Sequence, residues 1–277
     1  LSESWALIFF PLIFLSSYNL SQSQTRKNFA LFSLSLAALF YTHNIMTVLS
    51  APFILGWLIF WIWKTRSGVV AKSLFFSLIL GIGLAASFLL PAFFEKDLVQ
   101  SNKLITGYFD YRAHFVTISE MYLPSWGYGA SLWGPVDDMS FQVGVVHLLA
   151  LISCMAVMIF IMLRKKFRVN YQIMLFLIVA FGLSLFMQHN RSQFIWNSFP
   201  ILAFTQFPWR FLGISIFLVS FIIGGLVLIF NKKFMPLAFV LAAVVIIFNF
   251  DYFRPESYYL DSVDDHYISK ETLAVDD

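Results

Sequence analysis

Residues 28–63 read NFALFSLSLAALFYTHNIMTVLSAPFILGWLIFWIW, and this stretch decides what kind of fold the chain can adopt. Outside Tyr41-Thr42-His43-Asn44 at its centre it is apolar almost throughout. A bilayer core about 30 Å thick takes about 20 residues of helix at about 1.5 Å each. The stretch is therefore too long for one crossing and short for two. Asn28 to His43 gives only about 22 Å of helix, so a turn at 41–44 is expected several ångströms inside one boundary. Unpaired backbone at that depth is tolerated only where protein buries it or a wet cavity reaches it. One expectation is an outward-opening crevice at His43 and Asn44. The other is a plain helix break that these two residues cap.

The rest of the chain belongs to the same solvent. Of its 277 residues, 60% are hydrophobic and 12% charged, where a soluble domain carries about 25% charged residues. Apolar runs at 5–20, 28–41, 45–63, 72–94, 143–163, 171–187, 211–230 and 235–250 predict an all-α, polytopic transmembrane bundle of about eight spans. Residues 1–94 hold the first four and 143–250 the last four. Between them lies a long polar loop, 95–142, and a polar tail runs over 251–277. A net charge of +3 gives no case for a nucleic-acid partner; the partner implied is membrane lipid. Cys154, the single cysteine, lies inside an apolar run and reads as a packing residue. The chain opens without Met or a basic n-region and stops at Asp276-Asp277 in polar sequence, so it is expected to be a piece of a longer protein.

Lys and Arg set the orientation. Alternating the spans gathers Arg26, Lys27, Lys64, Arg66, Lys72, Arg164, Lys165, Lys166, Arg168, Lys232 and Lys233 on one side with no acidic residue among them. The opposite side holds all 15 acidic residues. The first side is expected to be cytoplasmic, which leaves the long loop and both visible ends extracytoplasmic in a plasma membrane. Tyr41, Trp126, Trp133, Trp196 and Trp209 are expected at the outer boundary, and Tyr18, Trp61, Trp63 and Tyr171 at the inner one.

Chemistry is therefore sought on the outer face. His43, His114, His147, His189 and His266 all fall at or near it, without a metal-ligand spacing. Gln206-Phe207-Pro208-Trp209-Arg210-Phe211 places an arginine where a connection enters a span. Its planar fork suits the phosphate of a lipid headgroup, either a specific lipid-linked phosphate or ordinary anionic lipid met by a snorkelling side chain. Arg191 is a second cation for the same cluster. Glu95 reads as a base, a metal-facing carboxylate or a solvated helix end. Trp126, Tyr128 and Asp138 lie in a glycine- and aromatic-rich loop that suits either a sugar clamp or a cap over the helices.

Five segments recur together in a known pattern: Ser2-Glu3-Ser4-Trp5-Ala6, Tyr41-Thr42-His43-Asn44, Leu89-Leu90-Pro91, Trp126-Gly127-Tyr128-Gly129 with Asp138-Met139-Ser140-Phe141, and Gln206-Phe207-Pro208-Trp209-Arg210. In this the chain resembles bacterial integral membrane proteins of the 6-pyruvoyl-tetrahydropterin synthase-related family, although no residue here points to pterin chemistry. These are similar to the GT-C superfamily of membrane glycosyltransferases, which use polyprenyl-phosphate sugars. The resemblance implies a GT-C-like fold and sugar transfer to an extracytoplasmic acceptor, with no certain cofactor and a divalent metal as an option. Arg210, Arg191, His43 and Asn44 would bind the donor phosphate, and Trp126, Tyr128, Asp138 and Glu95 would contact sugar or acceptor. The family places its catalytic carboxylate in the first external loop. This chain starts after that region, so the base is expected outside it, with Glu3 at the border.

Two rivals stand beside this reading. A transporter or lipid flippase calls for ionisable residues at mid-span, and the spans here are almost wholly apolar. A non-catalytic envelope-assembly subunit fits the same composition. The orientation itself is testable with single cysteines in cells. Ser67→Cys should react with a membrane-impermeant maleimide only after the membrane is opened, and Ser125→Cys should react without opening; the reverse pattern would invert the topology.

Overall fold

The computed structural model describes residues 2–95, 98–132, 137, 139–163, 171–229, 235–255 and 257. Among them every regular element is helical. Helices α1 (Ser2–Gln22), α2 (Arg26–Thr42), α3 (Asn44–Thr65) and α4 (Gly68–Leu84) follow one another through very short connections, and α5 (Ala86–Phe94) continues α4 after a 68° bend. The segment 95–142 holds short 3-10 turns and α6 (Ile118–Tyr122). Then come α7 (Val145–Leu163), α8 (Tyr171–Gln188), α9 (Gln193–Ser198), α10 (Phe211–Ile229) and α11 (Met235–Asn249).

A helix falls on each of the eight expected runs, and among the described residues not each passes as a crossing by length and composition. Four are long and apolar enough, Glu3–Gln22, Asn44–Thr65, Tyr171–Gln188 and Pro208–Gly225, and a fifth is reached if α4 and α5 count as one bent span. Helix α2, at 17 residues, is about 25 Å long and short of the bilayer core. In α7 and α11 the described side chains give apolar stretches of 145–157 and 239–253 only. The described residues thus give four or five candidate spans where eight were expected, consistent with a multi-pass membrane protein. Composition marks where a chain is apolar; the positions of the breaks set how far each helix reaches.

Close packing explains the neighbours. A Cβ at Gly81 would lie 2.9 Å from Leu36 Cδ2 and 3.0 Å from the Ser33 carbonyl, so only glycine lets α4 approach α2 this closely. Serines bond across the same seam: Ser33 Oγ donates to the Ser77 carbonyl at 2.9 Å, and Ser77 Oγ to the Phe29 carbonyl at 3.2 Å. Trp57 stacks on Phe14 at 5.1 Å and donates Nε1 to the Phe14 carbonyl and Ser17 Oγ, which ties α3 to α1. Lys64 Nζ donates to Gln172 Oε1 at 3.2 Å, joining the end of α3 to the start of α8.

Two tryptophans expected at the boundaries are core instead. Trp61 is 4% exposed and Trp196 1%. Trp196 lies under the ring of Tyr111 at 5.0 Å and donates to the Met187 carbonyl. Rings large enough to anchor at an interface are equally large enough to fill a core. Trp133 lies outside the described residues.

The seam at Gly81 yields a direct check. Gly81→Val forces side-chain atoms against a backbone carbonyl and should destabilise the protein by about 1–3 kcal/mol. Thermal unfolding in detergent measures this, and an unchanged midpoint would show that α2 and α4 are not packed through this glycine.

Candidate functional site

The backbone ahead of α10 dictates where Arg210 goes. Gln206 stands at φ 65°, ψ −50°, and the Phe207 N–H reaches the Thr205 carbonyl at 2.7 Å. This is a γ-turn of the positive-φ kind, rare and strained for a residue with a Cβ. Side chains hold it: Gln206 Nε2 donates to the Leu104 carbonyl at 3.2 Å, and Gln206 Oε1 accepts from Arg210 Nη1 at 3.3 Å. The same Nη1 donates to the Thr205 carbonyl at 2.7 Å. Pro208 then opens a single 3-10 turn, Pro208–Arg210, that leads into α10. The guanidinium is folded back over its own turn, its Cζ 4.9 Å from the Phe207 ring centre and 6.0 Å from that of Trp209.

Glu3, at the start of α1, meets the other edge of this group. Its Oε2 is 3.5 Å from Arg210 Nε. Nε is buried and makes no hydrogen bond, so charge rather than hydrogen-bond geometry holds the pair. Side-chain exposure is 15% for Arg210 and 33% for Glu3, a position between surface and interior where an ion pair is only partly screened. Nη2 has no hydrogen-bond partner among the described residues.

His43 is the third member. It is the single residue between α2 and α3 and caps both: its N–H donates to the Leu39 carbonyl, and its Nδ1 accepts from the Met46 N–H at 3.1 Å. The neutral ring therefore carries its proton on Nε2. Burial, and then the charge of Arg210, hold the imidazole below its ordinary value of 6.5. The capping expectation for His43 is thus met, and the residue also stands within the field of Arg210. One turn into α10, the position a Cβ of Gly213 would take is 3.3 Å from Met46 Cε and 3.5 Å from Leu7 Cδ2, so α10 touches α1 and α3 at this level. The N-terminal ends of three helices converge on Glu3, His43 and Arg210.

This set offers a fixed cation with one open donor, a carboxylate and a neutral N–H donor. It suits an anionic oxygen at Arg210 and a proton at Glu3. It does not make a divalent-metal set. Glu3 is paired to a cation, and no group of three His, Cys, Asp or Glu among the described residues is placed to hold a metal.

The other expected residues lie apart. Asn44 is exposed, its Oδ1 turned to the adjacent Ile45 N–H. Arg191 is exposed in the turn Asn190–Ser192, where its N–H bonds His189 Nδ1, and no contact among the described residues joins it to Arg210. Glu95 is exposed at the end of α5, its N–H on the Pro91 carbonyl, which is the solvated-helix-end alternative. Trp126 and Tyr128 join the end of the chain described: Trp126 stacks on Tyr252 at 4.5 Å, and Tyr128 Oη donates to the Arg254 carbonyl at 2.6 Å. Asp138 and His266 lie outside the described residues.

The long loop covers the arginine's segment. Buried His114 accepts or donates at Nδ1 to Ser131 Oγ (2.9 Å), reaches the Tyr108 carbonyl through Nε2, and sets its ring 4.7 Å from that of Phe207. Val116 N–H bonds the Gln188 carbonyl and Val143 N–H the Met121 carbonyl. Beneath lies a buried polar group that the sequence reading did not single out. Ser184 and Ser215 share a hydrogen bond at 2.8 Å, and Gln188 donates to Ser215 Oγ while its own Oε1 is left without a partner. Glu3 was seen only as a border residue. Its one sequence signal is an acidic side chain in the first turn of an otherwise apolar helix.

The lowered value at His43 carries a sign. Below 6.5 the unfolded chain takes a proton that the folded ring resists, so this contribution is complete above that pH and is lost as pH falls through the window beneath it. His43→Asn keeps a capping acceptor and removes the titration. The fall in thermal midpoint between pH 7.5 and 5.5 should be smaller in this variant than in the parent, and an equal fall would dissociate His43 from the effect.

In comparisons with known proteins, no family model, no curated protein and no solved structure matches this chain.

Proposed function

We propose that the chain is part of a GT-C-like glycosyltransferase of the bacterial plasma membrane, related to the 6-pyruvoyl-tetrahydropterin synthase-related membrane proteins. In this reading the Arg210 end is extracytoplasmic, and a sugar passes from a polyprenyl-phosphate donor to an extracytoplasmic acceptor. One observation carries it: a half-buried arginine, turned inward by a strained turn, has an open donor beside a carboxylate, and a neutral imidazole stands within its field. The five sequence segments quoted above supply the reaction class.

The reaction follows from those parts. The acceptor hydroxyl oxygen bonds the anomeric carbon as the bond from that carbon to the phosphate oxygen breaks. The phosphate leaves with the electron pair, and Arg210 stabilises the growing charge in a site with little water. The hydroxyl proton passes to Glu3, at the border of the external loop where the resemblance implies the base. His43 donates Nε2–H to the donor headgroup, and Trp126 and Tyr128 contact the acceptor.

The test uses full-length protein in proteoliposomes with radiolabelled polyprenyl-phosphate sugars. Arg210→Ala should lower transfer by about 10²–10³. Arg210→Lys should recover only part of it, because lysine lacks the planar fork. Glu3→Gln should lose transfer and retain donor binding. Transfer unchanged in Arg210→Ala and His43→Ala would overturn the site, and no transfer across a panel of donors and acceptors would favour a non-catalytic envelope subunit.

A further inference from the structure

A cavity of about 490 Å³ opens between the start of α7 and the end of α11, with Ile216 of α10 in its wall. It contains none of Glu3, His43 and Arg210, and its volume lies in the range of small-molecule sites. Its walls are mainly apolar, including Val143, Ile216, Val245 and Phe250, and among the described residues no Lys, Arg, Asp or Glu lines it. A charged group placed there would be desolvated and unpaired.

The cleft is also continuous with the surface that faces lipid in a membrane-spanning chain. Ile246 is 65% exposed and Phe253 88%, yet both line the cavity. At its mouth the stacked rings of Trp126 and Tyr252 form an amphipathic pair of the kind found at headgroup level. Hydrogen-bonding capacity gathers at the same place. Gln142 Nε2 donates to Tyr252 Oη at 3.2 Å, which leaves the phenol proton and the Gln142 carbonyl oxygen for a ligand. His147 turns Nδ1 into the protein, buried beside Gly144 without a partner among the described residues, so Nε2 is the nitrogen left for the cleft.

We propose that this cleft seats the hydrocarbon chain of an uncharged, hydroxyl-headed lipid from the adjoining leaflet, with the head at Gln142, Tyr252 and Trp126. The occupant follows from the walls: hydrocarbon is the solvent at its side, the described lining holds no Lys, Arg, Asp or Glu, and the polar atoms at the mouth donate to and accept from hydroxyls. The assignment shares only Trp126 with the sugar-transfer reading and stands or falls without it.

Photolabelling tests it with the full chain in nanodiscs. A monoacylglycerol with a diazirine in its chain is compared with a phosphatidic acid carrying the same chain, and cross-linked peptides are identified by mass spectrometry. The uncharged probe should mark 142–147 and 245–253 about tenfold more than the anionic one, a difference of the size that one unpaired charge produces. Val245→Trp, which fills the cavity, should remove that labelling and leave labelling of α3 and α8 unchanged. Gln142→Ala leaves the walls intact and should lower capture of the uncharged probe alone, which decides the matter if the tryptophan variant does not fold. Equal labelling by the two probes would overturn the proposal. So would labelling spread evenly over the lipid-facing helices, or labelling at 142–147 that is indifferent to both substitutions.

Discussion

Inside a bilayer a peptide group has no water to turn to, so each interruption of a helix must be repaired by another part of the protein. Three interruptions at one end of this bundle show how that demand shapes the site. Between α2 and α3 the repair is the ring of His43, which takes the Met46 N–H. At the bend between α4 and α5 it is the phenol of Tyr41, which donates to the Leu84 carbonyl at 3.1 Å. Ahead of α10 it is Arg210, which donates to the Thr205 carbonyl. The residues that make the site are largely the residues that make the breaks survivable.

That double use fixes the electrostatics. An arginine spent on a backbone carbonyl and a glutamine oxygen has little freedom to follow the solvent, so its charge stays at the helix ends. Glu3 compensates it through space without a hydrogen bond to Nε. Breaking a buried pair by removing one member leaves a charge uncompensated. An incoming anion meets a different case: it can replace the carboxylate's field at Arg210 while the other contacts persist. Helix N-termini on all sides add a favourable field for that exchange.

Much of this was legible in the chain. Apolar runs placed a helix at every expected position, because 60% hydrophobic composition leaves few other solutions. Tyr41-Thr42-His43-Asn44 announced its break, and an arginine at the head of an apolar run announced itself. Composition alone does not say how far each helix reaches, as the 17 residues of α2 show. Nor was the partner of Arg210. Residues 3 and 210 meet only through the packing of α1 against α10, and no periodicity carries that information. Arg191 illustrates the converse: nearness in sequence to the same connection did not bring it to the same site. Trp196 shows the limit of aromatic residues as markers, since the ring that would anchor at an interface is here wholly enclosed.

The turn at Gln206 has a mechanical meaning beyond its strain. One carbonyl, that of Thr205, closes the γ-turn and also receives the Arg210 proton, while the Gln206 amide spans from Arg210 to Leu104. A guanidinium wired in this way does not reorient by side-chain rotation alone. Its displacement is coupled to a backbone dihedral and, through Leu104, to the loop above. The position of one charge is thereby made a collective coordinate of the whole cap.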